Sequence, residues 1–259
     1  MTAKFIVLSF AATLTVAWPA LAQQVGTATA VNPMTESTSP GGSTNKLTVG
    51  ARVVHKEHIH TSPTGSVQLL FLDKSSLNIA PNTNLLIDEF VYDPASGSGH
   101  MLTSLTRGTL QFIGGKLSHE GAVTVTTPAA AVGIRGGTAT IEHDAHGTQV
   151  TNQYGTLTIQ NGAGTIVVTR PGFVVTIANW NTVPGQPTRV AAAQVNHHIQ
   201  ILSSKSGQNG GVPGLNGLAT SKSEQPWLRT DSGVNDASAI IQSTQRATIP
   251  TPPRITHGD

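Results

Sequence analysis

The chain contains no cysteine among its 259 residues. This absence excludes a disulfide scaffold, a cysteine-based zinc or redox site, and a lipoprotein anchor, which requires a cysteine at the cleavage point. Charged and aromatic residues are also scarce, at 11% and 4% of the chain. A sequence with so few charged helix-forming residues favours secondary structure other than long exposed helices.

Basic residues only slightly outnumber acidic ones, which gives a formal net charge of +2, and the chain has no long Lys/Arg run. Because nucleic acid and anionic membranes are held mainly by strong positive fields, neither is expected as a partner. The chain instead has 27 glycines and 15 prolines among many Thr, Val and Asn residues. This combination favours strands joined by tight turns.

The first 22 residues have the three parts of a secretory signal peptide. Lys4 supplies a basic start, an apolar stretch follows over residues 5–17, and Ala20-Leu21-Ala22 places small residues where signal peptidase requires them. The apolar run is shorter than the roughly 20 residues of a membrane-spanning helix. We therefore expect cleavage after Ala22 and a mature chain, without a transmembrane segment, in the periplasm or outside the cell.

The mature chain divides by composition into three segments. Residues 23–46 contain a candidate strand and a linker, and residues 47–189 alternate short apolar runs with Gly, Pro and Asn turns. Residues 190–259 begin with apolar residues at helical spacing, include a second short helix over residues 237–246, and end in a Pro-rich tail. The sequence predicts an all-β domain of many short strands, a β-sandwich or jelly roll or alternatively a short β-solenoid, with a partly helical or disordered C-terminal tail.

Apolar alternation also predicts the buried interior. The run from Val67 to Leu72 is apolar on both faces, which favours a strand buried between two layers. The expected core residues are Val49, Val53, Ile59, Val67, Leu69, Phe71, Leu77, Ile79, Ile87, Phe90, Phe112 and Val125.

Two sequence blocks, FLDKSSLNIAPNT at residues 71–83 with IDEFVYDP at residues 87–94, and TPAAAVGIRGG at residues 127–137, resemble the FecR domain family. The resemblance extends over about residues 25–180. Two positions depart from the family pattern, which usually has Asp-Gly at Asp73-Lys74 and often Gly-Thr at Gly136-Gly137.

The resemblance implies an outward-facing sensing or protein-contact module. The membrane regulator that names the family also carries a cytoplasmic segment that binds a sigma factor, and a membrane helix. Because a cleavable signal is predicted here in place of both, the anti-sigma role does not carry over. The expected partner is an envelope protein or a cell-wall polymer, and the oligomeric state is left open.

Four residues are candidates for ligand or structural roles. Asp73 and Asp88 lie at a predicted turn and strand, where Asx oxygens commonly hold backbone N–H groups. Arg135 lies between Gly133-Ile134 and Gly136-Gly137. Its guanidinium is predicted to clamp carbonyl groups or a carboxylate, with Asp88 and Glu89 as candidates. We favour the structural interpretation over anion binding, because a partly buried arginine must be paired wherever it lies.

Histidines form two small clusters. His55, His58 and His60 constitute a His-x-x-His-x-His pattern, and on a strand His58 and His60 share one face. His143-Asp144-Ala145-His146 is the second cluster. Metal binding by either is the less favoured interpretation, because a site needs three or four converging ligands that spacing alone does not supply.

The sequence lacks the motifs of common catalytic and cofactor sites, including Gly-x-Ser-x-Gly, the Walker loop, His-Glu-x-x-His and Gly-x-Gly-x-x-Gly. We therefore expect no enzymatic activity and no cofactor. The favoured hypothesis is an exported envelope module that binds a ligand or a protein and takes part in sensing. The alternatives are a structural or adhesive surface protein and a cupin-like metal enzyme that uses the first histidine cluster.

Overall fold

The computed structural model describes residues 23–32 and 34–203, which lie in one compact unit of the chain. Strands account for 56% of these residues and helices for 8%, so the predicted all-β class is confirmed. The predicted leader, the second helix expected over residues 237–246 and the Pro-rich end lie outside the described residues. No helix in the described ranges is long and apolar enough to cross a membrane.

The described residues form fifteen strands and two helices. The strands are β1 (Gln24–Val31), β2 (Thr35–Thr38), β3 (Thr44–Lys46), β4 (Arg52–Val54), β5 (His58–Thr61), β6 (Val67–Phe71), β7 (Ser76–Ile79), β8 (Asn84–Tyr92), β9 (Gly99–Ile113), β10 (Val123–Thr126), β11 (Ala131–Asp144), β12 (Gly147–Asn161), β13 (Gly164–Val168), β14 (Phe173–Ile177) and β15 (Thr188–Arg189). The helices are α1 (Lys116–His119) and α2 (Ala192–Leu202).

The strands form one hydrogen-bonded network that divides into two half-sheets, because β9, β11 and β12 belong to both. The first half-sheet has the order β3-β2-β5-β8-β9-β10-β11-β12-β13. The second half-sheet has the order β4-β1-β6-β7-β9-β11-β12-β14-β15. All of these pairs are antiparallel except β9 with β10. A solenoid stacks its coils through parallel pairs, so the pairing favours the sandwich-like alternative.

The three shared strands change from one half-sheet to the other at glycines. Gly108 in β9, Gly137 in β11 and Gly155 in β12 have φ values of 100°, 81° and 97°. A Cβ on Gly137 would lie 1.9 Å from the Tyr154 carbonyl oxygen, so glycine is required for β11 and β12 to approach there. Strands that switch layers through bends or bulges are a known way to turn the corner of a two-layer β structure.

These bends also explain a difference from the sequence prediction. Separate short strands are predicted on either side of a break within residues 102–113, and again within residues 149–160. The structure has one continuous strand in each place, of 15 residues in both β9 and β12. Glycine bends each strand without ending its pairing, and sequence alone does not separate these two outcomes.

Asn152 stabilises the corner of β12 through its side chain. The side chain is buried, and its Nδ2 donates to the carbonyl oxygens of Gly155, Val168 and Arg170 at 3.0, 3.2 and 3.4 Å. The contact with the Val168 carbonyl oxygen is buried, where a carbonyl group without a donor costs free energy.

One apolar cluster fills the space between the half-sheets. Phe71 from the second half-sheet and Phe90 from the first stack with ring centroids 5.2 Å apart, which shows that the two layers share a core. Of the twelve predicted core residues, all are buried except Val49, which is 53% exposed. Val49 lies in the turn before β4, where the chain reverses at Gly50 with φ of 86° and directs the valine outward.

The prediction that β6 is buried on both faces is wrong. Val67, Leu69 and Phe71 face the core, whereas Leu70 and Leu72 are 39% and 47% exposed. The outer face of the second half-sheet is therefore covered only in part around β6, and these two leucines contact solvent.

Candidate functional site

Asp73, the first of the predicted site residues, is fully buried and fastens the β6–β7 turn to α1. Its Oδ1 accepts hydrogen bonds from the Ser75 backbone N–H at 3.0 Å and from Ser75 Oγ at 2.6 Å. Its Oδ2 accepts from the Leu117 N–H at 3.2 Å, and its carbonyl oxygen accepts from the Lys116 N–H at 2.9 Å. Both oxygens of the carboxylate therefore accept hydrogen bonds from within the fold.

Lys74, where the family pattern usually has glycine, adopts φ of 72° in the same turn. A left-handed conformation is costly for a residue with a Cβ, so this departure from the pattern strains the backbone. Across the turn, a Cβ on Gly115 would lie 2.2 Å from the Ser75 nitrogen. Gly115 is thus required for the close approach that brings the α1 segment to Asp73.

Asp88 and Glu89 have different surroundings on β8. Asp88 is the extra residue of a β-bulge, and its buried Oδ2 accepts no hydrogen bond from a described residue. The Glu89 carboxylate lies 3.1 Å from His100 Nε2 on β9, and both side chains are about half exposed. An exposed pair of this kind contributes at most about 1 kcal/mol to stability.

Arg135 is exposed on β11, and its guanidinium makes no hydrogen bond or ion pair with a described residue. Its aliphatic stem lies over Gly121, where an added Cβ would be 3.7 Å from Arg135 Cγ. The predicted clamp on Asp88 or Glu89 is not formed, because the guanidinium lies in solvent and Glu89 pairs with His100. A role for Arg135 in anion binding stays a prediction.

The first histidine cluster does not converge. His58 and His60 share the exposed face of β5, and His60 Nδ1 contacts the Asn84 side chain, whereas His55 lies before that strand and is half-buried. Glu57 points inward and accepts a hydrogen bond from the Val54 N–H at 2.7 Å. Within the described ranges, no group of three or more His, Cys, Asp or Glu residues is arranged to hold a metal ion. The cupin-like hypothesis therefore loses the convergent ligands on which it depends.

A concave site lies elsewhere, between α2, the bend of β9 at Gly108 and the end of β11. This cavity, which we call the α2 groove, has a volume of about 650 Å³. Its polar lining includes Arg107, Glu142, His143, Asp144 and His197, and its apolar lining includes Pro81 and Ile201. A volume of several hundred Å³ with apolar walls and a few polar groups is typical of binding sites.

Three contacts hold α2 against the second half-sheet. Buried His198 lies with Nε2 3.3 Å from Glu142 Oε2, and Gln194 Nε2 donates to Gln149 Oε1 at 2.6 Å. Val195, on the same face of the helix, is 7% exposed. Gln194, Val195 and His198 fall on one side of α2, as the predicted helical spacing requires. Their contacts hold the helix in place, and its neighbouring residues His197 and Ile201 line the groove.

The β11–β12 turn forms the opposite wall of the groove and carries two residues whose pKa values are shifted. Partial burial lowers the pKa of His143, and its Nδ1 lies 2.9 Å from the buried Thr148 hydroxyl. Hydrogen bonds from the His146 backbone and side chain lower the pKa of Asp144. At neutral pH this wall therefore presents a neutral imidazole beside a carboxylate.

The sequence predicts only some of the residues that line this groove. The second histidine cluster supplies His143 and Asp144, next to Glu142 on β11, but Arg107 on β9 and His197 on α2 are distant from it in the chain. No motif links these residues, and only the crossing of β9 and β11 brings them together. The single available signal is the helical spacing of residues 192–202, which predicts an element that covers a sheet.

Comparisons with known proteins give a matching family model and similar solved structures. The family model for FecR protein matches residues 57–175. Two crystal structures of a candidate anti-sigma factor from Parabacteroides distasonis ATCC 8503 are similar, each with a TM-score of 0.44 and with 17% and 16% identity. In both, the similarity covers 55% of this chain and 64% of that chain, which is less than two thirds of its length. No curated protein matches the chain.

Proposed function

Because the family model for FecR protein matches residues 57–175, we propose that the chain is an exported, non-enzymatic module of the bacterial cell envelope. Its proposed role is to sense a signal by recognising a protein partner. The FecR family is regulatory, and the outward-facing position of its domain fits recognition on the far side of the membrane. The leader-like residues 1–22 support export, since they combine a basic start, an apolar run and a small-residue cleavage site.

The observation that carries the proposal is the α2 groove. All of its lining residues before α2 lie inside the segment that matches the family, and α2 adds the remaining wall. The groove combines apolar surface with the guanidinium of Arg107, which pairs with no described residue, and the carboxylates of Glu142 and Asp144. A groove whose apolar surface is bordered by charges of both signs is suited to bind a partner protein that presents both apolar and charged side chains.

Two other functions have less support. A spacer built of stacked coils needs parallel pairing, whereas the described strands pair in parallel only at β9 and β10. The metal enzyme needs converging ligands, and His55, His58 and His60 are dispersed over a loop and an exposed strand face.

Site-specific photocrosslinking in the native host tests recognition at the groove. A photoreactive amino acid is placed at Arg107 in the groove or, as a control, at Leu70, which is exposed on the outer face of β6. We expect a discrete, protease-sensitive adduct from position 107 that is absent from position 70 and is lost when Ala145→Trp fills the groove. Equal labelling at both positions, or an adduct released by lysozyme as cell-wall polymer, would contradict the proposal.

Export is tested separately. N-terminal sequencing of the chain recovered from the periplasm or medium is expected to begin at Gln23. A product that stays in the cytoplasm with Met1 intact would contradict export without bearing on the groove.

A further inference from the structure

The network has four edge strands among the described residues, namely β3, β4, β13 and β15. Edge strands invite pairing with another chain, and proteins commonly prevent this with charged residues or very short strands. Lys46 lies in β3, Arg52 in β4, and Arg189 in β15, which has only two residues. β13, with the sequence GTIVV, has five residues and no charge or proline. It is the one described edge without either protective feature.

The register of β13 leaves a defined set of backbone groups free. β13 pairs only with β12, through a two-residue turn closed by Asn161 and Gly164. In an antiparallel pair, hydrogen-bonded and non-hydrogen-bonded positions alternate from such a turn. The N–H and C=O groups of Thr165 and Val167 therefore point away from β12, and no described residue pairs with them.

Exposed apolar side chains lie around the same edge. Val167 is 54% exposed on β13 itself. Trp180 and Val183, which are 47% and 66% exposed, belong to the loop that packs on the β12–β13 hairpin. This loop is held there by Asn161 Nδ2, which donates to the Asn179 and Thr182 carbonyl oxygens at 3.1 and 2.7 Å. Three of the nine large apolar side chains that are most exposed in the described part of the chain are thus placed at one edge.

We propose that the β13 edge pairs with the β13 edge of a second copy of this chain, in an antiparallel arrangement about a twofold axis. An uncharged edge favours an uncharged partner strand, and β13 is itself such a strand. With Ile166 opposite its own equivalent, Thr165 of each copy faces Val167 of the other. The four backbone groups of each chain that point away from β12 then pair, and the first half-sheets of the two copies become one sheet that runs across the dimer.

Sedimentation equilibrium of the purified chain from micromolar to millimolar concentration tests the proposal. The wild type is expected to dimerise reversibly. Val167→Lys is expected to weaken association by about tenfold or more, because it places a charge on the pairing edge. The matched control, Thr44→Lys, adds the same charge to the already protected β3 edge and is expected to leave association unchanged. Circular dichroism and thermal melting establish that both variants are folded.

A single engineered cysteine tests the register. Because the chain has no cysteine, Ile166→Cys introduces a unique thiol on the proposed twofold axis. Mild oxidation is expected to give a disulfide-linked dimer, since opposite residues at such a position have neighbouring Cβ atoms. Asn45→Cys, at the centre of β3, is the control and is expected to remain monomeric. A wild type that stays monomeric at millimolar concentration, or dimerisation that Val167→Lys leaves intact, overturns the proposal.

Discussion

Phe71 and Phe90 stack across the interior with their ring centroids 5.2 Å apart, although they belong to different half-sheets. Both rings are almost completely buried, at 2% and 3% exposure. Apolar burial is the main favourable contribution to folding, so this contact is one of the points at which the two layers stabilise each other.

Phe90→Ala is expected to lower the free energy of unfolding by about 3–5 kcal/mol, because it leaves a cavity beside Phe71. Urea denaturation followed by circular dichroism measures this loss. Leu72→Ala, at a side chain that is 47% exposed, is the control and is expected to change stability by less than about 1 kcal/mol. Equal losses in the two variants would contradict a shared core at Phe90.

Asp73→Ala is expected to destabilise the domain by about 3 kcal/mol, because the N–H groups of Ser75 and Leu117 would lose their acceptor in a buried setting. Asp73→Asn, which keeps one oxygen, is expected to lose less. Asp93 provides a matched control, since it accepts from the Ala95 N–H and the Ser96 hydroxyl in the same local pattern but in an exposed loop. Asp93→Ala is expected to have a much smaller effect in the same denaturation measurement.

Lys74→Gly is expected to stabilise the chain by about 0.5–1 kcal/mol, because glycine adopts the positive φ of this turn without steric cost. The gain is smaller than the full strain, since glycine also loses more backbone entropy on folding. Asn82→Gly is the control, because asparagine already tolerates its φ of 57°. A melting temperature lower than that of the wild type for Lys74→Gly would show that the lysine side chain contributes contacts that outweigh the strain.

His143 is expected to make stability depend on pH. Burial lowers its pKa in the folded state, so the unfolded chain binds a proton more readily. The associated stability is present above the ordinary histidine pKa of about 6.5 and is lost as the pH falls through that value. Denaturation between about pH 8 and pH 5 should show this fall, and His143→Gln should reduce it.

His58→Gln controls for histidine replacement as such, since His58 is exposed on β5. It is expected to leave the pH dependence of the wild type unchanged. If His143→Gln and His58→Gln gave identical pH profiles, the burial of His143 would not be the source of the effect.

The sequence predicted the apolar interior well, because period-two alternation of Val67, Leu69 and Phe71 has few other physical explanations. It also led to the FecR family, through continuous motifs that contain Asp73 and Arg135. It did not predict where strands bend, since a glycine such as Gly155 ends one strand and bends another equally well. The surroundings of Arg135 were not predictable either, because its exposure depends on where β11 bends, and Arg135 lies directly before the bend at Gly136 and Gly137.

The candidate groove illustrates the same limit. His143 and Asp144 are adjacent in the chain and stand out as a cluster, whereas Arg107 and His197 lie far from this cluster in the chain. Their proximity arises from long-range pairing of β9 with β11 and from the docking of α2. The local sequence does not indicate that such distant positions are in contact, because this information lies in the covariation of related chains.

The continuity of β9, β11 and β12 through both layers has a mechanical consequence. Neither layer can unfold while the other stays intact, because the same three strands run through both. Separation of one layer would break the hydrogen bonds between these strands at the corner. Unfolding should therefore be a single all-or-none event, and any force applied to the rim of one layer should be carried along covalent chain to the opposite one.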